Sequence, residues 1–125
     1  MRLLLDTHVY LWFLADSPKL SKTARARIAD ADTVYVSAVS IWEAAIKIGI
    51  GTLSANPDGL LAGIEASGFV ELPVLARHAA GISALPNHHR DPFDRLLVAQ
   101  AICEPLRLLT ADKALTKYTE LAEVV

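Results

Sequence analysis

The segment Arg2-Leu-Leu-Leu-Asp6 combines a short apolar run with an acidic residue that directly follows it. Three consecutive leucines with polar neighbours are typical of a strand that is buried on both faces of a sheet. Sheets of this kind are parallel, and helices connect their strands. We therefore predict that residues 2–5 form a buried strand and that Asp6 lies at its carboxyl end, where open α/β sheets bind their ligands.

Strand-like runs and helical patterns alternate along the rest of the chain. Further strands are predicted at 33–36, 69–72, 107–110 and 123–125. Helices are predicted at 7–15, 21–31, 37–48, 57–68, 75–85, 91–104 and 112–118. Thr7 and Ser37 can cap the first and third of them, and Asn56-Pro57 opens the fourth. Because right-handed crossovers join such elements into parallel sheets, the alternation predicts an α/β fold in a single domain spanning residues 1–125.

The composition fits a folded domain and argues against several classes of protein. Hydrophobic residues make up 53% of the 125 residues and charged residues 21%, which excludes disorder. The single cysteine, Cys103, cannot form an internal disulfide, and the sequence predicts no Cys/His zinc site. The longest apolar run, Val9–Ala15, is too short to cross a bilayer. Without a recognisable secretion signal, we expect a cytoplasmic protein that does not engage a membrane.

Acidic residues recur near the predicted strand ends. Asp6 follows the first strand, Asp112 follows the fourth, Asp91 and Asp94 begin the helix that leads into the fourth, and Glu43 lies in the helix after the second. Two carboxylates about 4 Å apart repel by roughly 4 kcal/mol at an effective dielectric near 20, so a cluster takes up protons or binds a cation. Oxygen ligands alone select Mg²⁺ or Mn²⁺, and these ions support phosphodiester hydrolysis.

Each of these acids also has a structural interpretation. Asp6, Asp91 and Asp112 can cap the helices that follow them, and Pro92 supports the cap at Asp91. Asp94 suits the positive end of a helix dipole. Glu43 and Lys47 are spaced as an ordinary ion pair on a helix, although they form a polar stripe with Ser40 on a helix that is otherwise apolar. The net charge of −2 does not favour a nucleic-acid partner.

Four blocks of sequence resemble the PIN domain family, and most closely its VapC-type toxins. They are Leu4-Leu-Asp-Thr-His8 with Leu11-Trp12, residues 37–47, residues 91–101, and Leu108-Leu-Thr-Ala-Asp-Lys113. Together the blocks span nearly the whole chain in the order that the family shows. One minor departure is Leu115, where the family often has an aromatic residue.

The resemblance implies a three-layer α/β/α sandwich with a mainly parallel sheet of four or five strands. It also implies an Mg²⁺- or Mn²⁺-dependent ribonuclease that forms homodimers and is inhibited by a small VapB-like antitoxin. Carried over by position, the catalytic and metal-binding acids are Asp6, Glu43, Asp94 and Asp112, with Asp6 and Asp94 as the main ligands. Thr110 is a supporting polar residue, and Asp91 is a possible additional ligand.

Two other functions compete with this interpretation. A phospho-acceptor receiver fits the length, but it needs adjacent acids after the first strand, where Asp6 is followed by Thr7. A non-catalytic module with a PIN fold could bind a partner without cleaving RNA, but it has no need for an intact set of acids.

Two further expectations concern binding partners. Arg90, Arg95 and Lys113 adjoin the acids and are predicted to contact RNA phosphates. The run Val9–Ala15 is apolar on every side of a helix, and Trp42, Ile46 and Ile50 share one side of another. A domain of this size cannot cover all such faces, so we expect a second copy of the chain and an antitoxin segment to contact them.

Overall fold

A computed structural model describes residues 1–88 and 91–125 of the chain. Five parallel strands form one sheet in the order β3-β2-β1-β4-β5. The strands are β1 (Arg2–Leu5), β2 (Thr33–Ser37), β3 (Val70–Leu72), β4 (Arg107–Thr110) and β5 (Ala122–Val124). The predicted central feature, a buried strand at residues 2–5, is therefore confirmed, and it lies in the middle of the sheet.

Helices cover both faces of the sheet. They are α1 (Thr7–Leu14), α2 (Lys22–Asp30), α3 (Ala38–Gly49), α4 (Pro57–Ala66), α5 (Ala76–Gly81) and α6 (Pro92–Cys103), together with 3₁₀ helices at Ile82–Ala84 and Lys113–Lys117. Among the residues that the structure describes, no helix is long and apolar enough to cross a membrane.

The leucines of β1 divide the interior into two cores. Leu3 and Leu5 pack in a cluster with residues of α1, α2 and α4, including Tyr10. Leu4 packs in a second cluster with residues of α3 and α6, including Leu97. Because successive side chains of a strand point to opposite faces, this alternation places one helical layer on each side of the sheet. The predicted three-layer α/β/α architecture is confirmed.

Side-chain caps fix where several helices begin. Ser37 accepts from the Val39 N–H at the start of α3, and Asn56 accepts from the Asp58 N–H at the start of α4. The predicted cap by Thr7 is wrong, because Asp6 occupies the cap position of α1 and the Thr7 hydroxyl donates instead to Ser40 Oγ at 2.9 Å. The helix predicted at 75–85 is shorter and ends in the 3₁₀ turn.

The two apolar helices differ in how well they are covered. Val9 and Tyr10 of α1 are buried, and Trp12 is partly buried against the first core. On α3, by contrast, Trp42, Ile46 and Ile50 stay 54%, 41% and 70% exposed. The expectation of uncovered apolar surface therefore applies mainly to α3.

Candidate active site

The Asp6 carboxylate is held rigidly at the carboxyl end of β1. Its backbone N–H continues the sheet by donating to Leu109 O, and its Oδ1 caps α1 by accepting from the N–H groups of His8 and Val9. Thr110 donates to its other oxygen, Oδ2, at 2.5 Å. Burial raises the pKa of Asp6, and the bond from Thr110 is the largest of the opposing effects that lower it. The structure thus keeps a carboxylate where water stabilises it poorly.

Thr110 also positions Asp112. The Thr110 hydroxyl oxygen accepts from the Asp112 N–H at 3.0 Å, and Asp112 Oδ1 accepts from the Ala114 N–H to cap the following 3₁₀ helix. Thr110 is fully buried and Asp112 is partly exposed. A single hydroxyl group therefore connects the acid after β1 with the acid after β4.

Three of the acids predicted from the sequence line one cavity at this edge of the sheet. The cavity measures about 370 Å³, and its walls are formed by Asp6, His8, Trp12, Asp94, Ala111 and Asp112. Asp94 lies in the first turn of α6, where the helix dipole favours a negative charge. The convergence expected from the parallel topology is therefore observed for Asp6, Asp94 and Asp112.

The fourth predicted acid, Glu43, is connected to the other acids through the side chain of Lys47. Glu43 is 4% exposed, and its Oε2 accepts from Lys47 Nζ at 2.8 Å. The hydrogen bond that Lys47 donates to Glu43 raises the pKa of Lys47, and Asp91 and Asp94 raise it further through their charges. The polar stripe of α3 is thus turned toward the acids, because Ser40 is also buried and contacts the first turn of α1.

Two of the remaining predicted site residues, Asp91 and Arg95, make hydrogen bonds that stabilise the fold. Asp91 caps α6 by accepting from the N–H groups of Phe93 and Asp94. Arg95 donates to Pro86 O at 2.9 Å and to the Tyr118 hydroxyl at 3.3 Å, so it ties α6 to the loop before it and to the end of the 3₁₀ helix at Lys113–Lys117. Lys113 is exposed directly after Asp112. The predicted phosphate contact Arg90 lies outside the described residues.

The donor set fits a hard divalent cation. Three carboxylates, those of Asp6, Asp94 and Asp112, line the cavity, and such ligands suit Mg²⁺ and Mn²⁺. The buried Oε1 of Glu43 has no hydrogen-bond partner among the described residues. Buried polar atoms are nearly always paired. An unpaired carboxylate oxygen near other acids is therefore the arrangement expected where a cation binds.

A second polar cluster, which the sequence did not predict, contains His78, Cys103 and Glu104, whose ligand atoms lie within 4.8 Å of one another. Its hydrogen bonds favour a structural role over a metal centre. The Leu75 N–H donates to His78 Nδ1, so the imidazole proton belongs on Nε2, which lies 2.5 Å from Glu104 Oε2. Arg77 donates to both Glu104 and Cys103, and its charge already compensates the carboxylate.

Fold and site together define a class of protein in which a parallel sheet gathers carboxylates from distant parts of the chain at one edge. The chain belongs to the PIN domain family, whose model matches residues 3–121. The family resemblance predicted from the four sequence blocks is thus confirmed, and the receiver-like alternative loses its support.

Within that family the chain is similar to the Ribonuclease VapC22 of Mycobacterium tuberculosis (strain ATCC 25618 / H37Rv). The two are 34% identical over 123 residues, which cover 92% of this chain and 90% of that protein.

Solved structures of two complexes share the fold. VapBC2 from Rickettsia felis, bound to a DNA fragment from its promoter, matches with a TM-score of 0.69 and 15% identity over 94% of this chain and 93% of that one. FitAcB from Neisseria gonorrhoeae matches with a TM-score of 0.60 and 19% identity over 90% of this chain and 89% of that one.

Proposed function

We propose that this protein is a metal-dependent endoribonuclease that hydrolyses RNA phosphodiester bonds and acts as the toxin of a toxin–antitoxin pair. The observation that carries the proposal is the convergence of Asp6, Asp94 and Asp112 on one cavity, with Glu43 beside them. Similarity to a protein named Ribonuclease VapC22 supports both the activity and the biological role. We propose that residues 1–125 act as a single domain.

Asp6 and Asp94 are the proposed main ligands of Mg²⁺ or Mn²⁺, and Glu43 and Asp112 complete the set. A divalent cation at this place lowers the pKa of water and stabilises the charge that develops on a phosphate. The protein's own contribution is to hold the ligands still: two backbone N–H groups and the Thr110 hydroxyl fix the Asp6 carboxylate. Such outer contacts orient ligands and commonly change metal affinity by about 10–100-fold.

The activity is tested with purified protein and a set of structured RNAs, in EDTA and after addition of Mg²⁺ or Mn²⁺. Cleavage should stop in EDTA and return with either ion. Since the loss of an outer contact alone costs about 10–100-fold, Asp6→Asn and Asp94→Asn should reduce cleavage by more than about 100-fold. Asp30→Asn is the matched control, because Asp30 is exposed at the end of α2.

Two results would contradict the proposal. Cleavage that survives complete removal of metal would exclude the metal-dependent mechanism. Full metal binding without any cleavage would favour the non-catalytic module. Substitution of Asp91 by Ser is a further check, since Ser preserves a helix cap and should leave most of the activity.

We propose that a VapB-like antitoxin covers the mouth of this site. A groove of about 740 Å³ runs beside α1 and shares His8 and Trp12 with the carboxylate cavity. Leu11, Leu14 and Leu53 give it an apolar floor suited to a peptide segment, and an arginine of the partner could enter the acidic cavity from there. Leu53→Ala, in the groove but outside the walls of the carboxylate cavity, should weaken antitoxin binding and leave cleavage unchanged. Trp12→Ala should also weaken antitoxin binding. Equal loss of folding and cleavage would show that Trp12 acts only in the core.

We also propose that the chain forms a homodimer through the exposed side of α3. Trp42, Ile46 and Ile50 form a continuous apolar stripe there, and Phe93 extends it by packing edge-on against Trp42 at 4.8 Å. Light scattering at tens of micromolar should give the mass of a dimer, and Ile46→Glu with Ile50→Glu should give a monomer. A monomeric wild-type chain would contradict this part of the proposal.

A further inference from the structure

Lys47 occupies an unusual position between three acidic side chains and an open groove. Its Nζ lies 2.8 Å from Glu43 Oε2, and the charges of Asp91 and Asp94 act on it as well. The Lys47 side chain is 37% exposed, whereas that of Glu43 is 5% exposed. Lys47 also lines the groove beside α1, together with His8 and Trp12. It is therefore more than a surface ion pair of the usual kind.

The buried Glu43 carboxylate has a positive neighbour in direct contact, the ammonium group of Lys47. A carboxylate removed from water is costly unless it is paired, and its Oε1 has no partner among the residues that the structure describes. Lys47 supplies one charge-assisted hydrogen bond to the other oxygen, Oε2. One carboxylate oxygen of Glu43 is therefore paired and the other is not, as expected for a site that binds a second positive charge.

We infer that Lys47 is a positioning residue: its ammonium group is a tethered counter-ion that holds Glu43 among the acids until a divalent cation takes its place. This inference rests on the proposed function and extends it to a residue outside the set of four acids. The groove gives the displaced side chain room to move, because Lys47 lines it and its side chain is 37% exposed.

The Lys47 ammonium group should weaken the binding of a divalent cation. A fixed ammonium group competes with the incoming cation for Glu43 and repels it, so removing the ammonium strengthens cation binding. At the dielectric of a partly exposed site, one unit charge next to a divalent ion changes its affinity by about tenfold. If the ion pair were purely structural, removing the ammonium group would lower the stability of the protein and leave its affinity for the cation unchanged.

The inference is tested by calorimetric titration of Mn²⁺, without RNA, into the wild type and two variants. Lys47→Met should bind Mn²⁺ about tenfold more tightly than the wild type, and Lys47→Arg should bind it like the wild type. Lys22→Met is the matched control, because it removes the same charge from an exposed position at the start of α2. If Lys47→Met folds poorly, Lys47→Gln keeps a polar side chain and should show the same direction.

A double variant identifies the group through which Lys47 acts. In a Glu43→Gln background, Lys47→Met should no longer raise the affinity for Mn²⁺, since the competition for Glu43 has been removed. The increase in melting temperature caused by Mn²⁺ should likewise be larger in Lys47→Met than in the wild type.

The possible failures are distinguishable. A wild type that binds Mn²⁺ while Lys47→Met and Lys47→Gln bind it equally or more weakly would overturn the inference and leave the proposed function intact. A wild type that binds no Mn²⁺ would overturn both. Tighter binding that persists in the Glu43→Gln background would also overturn the assignment, because Lys47 would then act by general repulsion.

Discussion

The Thr110 hydroxyl donates a hydrogen bond to Asp6 Oδ2 at 2.5 Å, although 104 residues separate the two along the chain. The same hydroxyl oxygen accepts from the Asp112 N–H, so it serves two acids at once. Both bonds are largely shielded from water, since Thr110 is fully buried. Substituting Thr110 therefore removes one hydroxyl group from the candidate site and leaves every carboxylate in place.

Thr110→Val should weaken the site and the fold together. The change leaves the buried Asp6 carboxylate without its strongest donor and the Asp112 N–H without its acceptor, which costs about 1–3 kcal/mol of unfolding free energy. Affinity for Mn²⁺ should fall by about 10–100-fold. Urea unfolding and metal titration measure the two effects. Thr110→Ser retains the hydroxyl and should restore most of both; equal losses in Ser and Val would mean that the methyl group is what matters.

Asp6 should make the metal-free protein less stable as the pH rises. Burial raises the pKa of Asp6 from its ordinary value of 3.8, so in the window between these pKa values the folded state binds more protons than the unfolded state. Stability therefore falls as the pH rises through that window. In EDTA, Asp6→Asn should be more stable than the wild type at pH 7, and the difference should shrink as the pH falls through the raised pKa. A difference that does not change with pH would contradict this account.

Glu104→Ala should destabilise the protein and leave cleavage intact. His78 is fully buried and its Nε2–H has Glu104 as its acceptor, so the variant leaves a buried donor unpaired at a cost of about 1–3 kcal/mol. The bond with His78 lowers the pKa of Glu104, so its contribution is present above the ordinary carboxyl pKa and is lost as the pH falls through the lowered one. Urea unfolding at several pH values measures this, with exposed Glu120→Ala as the control. Loss of cleavage in a folded variant would show that this cluster belongs to the site.

Two glycines of α4 should respond in opposite directions to alanine. A Cβ at Gly59 would meet only Asn56 Cβ at 3.9 Å, so Gly59→Ala should stabilise the protein by about 1 kcal/mol through helix propensity. A Cβ at Gly63 would lie 2.8 Å from Leu14 Cδ2 and 3.0 Å from the Tyr10 hydroxyl. That hydroxyl is held by its bond to Leu60 O, so Gly63→Ala should cost about 1–3 kcal/mol. Thermal unfolding of both variants measures the contrast, and the same sign for both would refute it.

Lys113 and Arg95 should differ in their effect on RNA binding. Lys113 is exposed beside Asp112, whereas Arg95 bonds to Pro86 O and Tyr118. Lys113→Gln should reduce the slope of log affinity against log salt by about one, as expected for the loss of one phosphate contact. Arg95→Gln should lower the melting temperature and leave the slope unchanged. A reduced slope in Arg95→Gln would restore Arg95 as a phosphate contact.

The sequence predicted the layers of the fold well because its signals were local. Three leucines in a row indicated a strand buried on both faces, and Ser37 and Asn56 marked the starts of helices by their capping chemistry. The helix expected at 75–85 ended early because no capping or periodicity signal distinguishes an α-helix from the 3₁₀ turn at Ile82–Ala84.

The candidate site was only partly predictable for a related reason. Position after a strand suggested that Asp6 and Asp112 meet. Asp94 begins the helix that leads into β4, and the family resemblance selected it over Asp91. The pairing of Lys47 with a buried Glu43 was not predictable, because the spacing of the two residues is the same in exposed ion pairs, and only tertiary packing decides burial. The cluster around His78 was invisible for the same reason, since His78 and Glu104 belong to different helices.

The order of the strands has a consequence for the protein while it is being made. β1 emerges from the ribosome first, but one of its two partners is β4, so one edge of the central strand stays unpaired until residue 110 has been synthesised. Asp6 meets neither Thr110 nor Asp112 before that point. A nascent chain thus carries an acid but no assembled site, and the carboxylate cavity is complete only after nearly all of these residues have been translated.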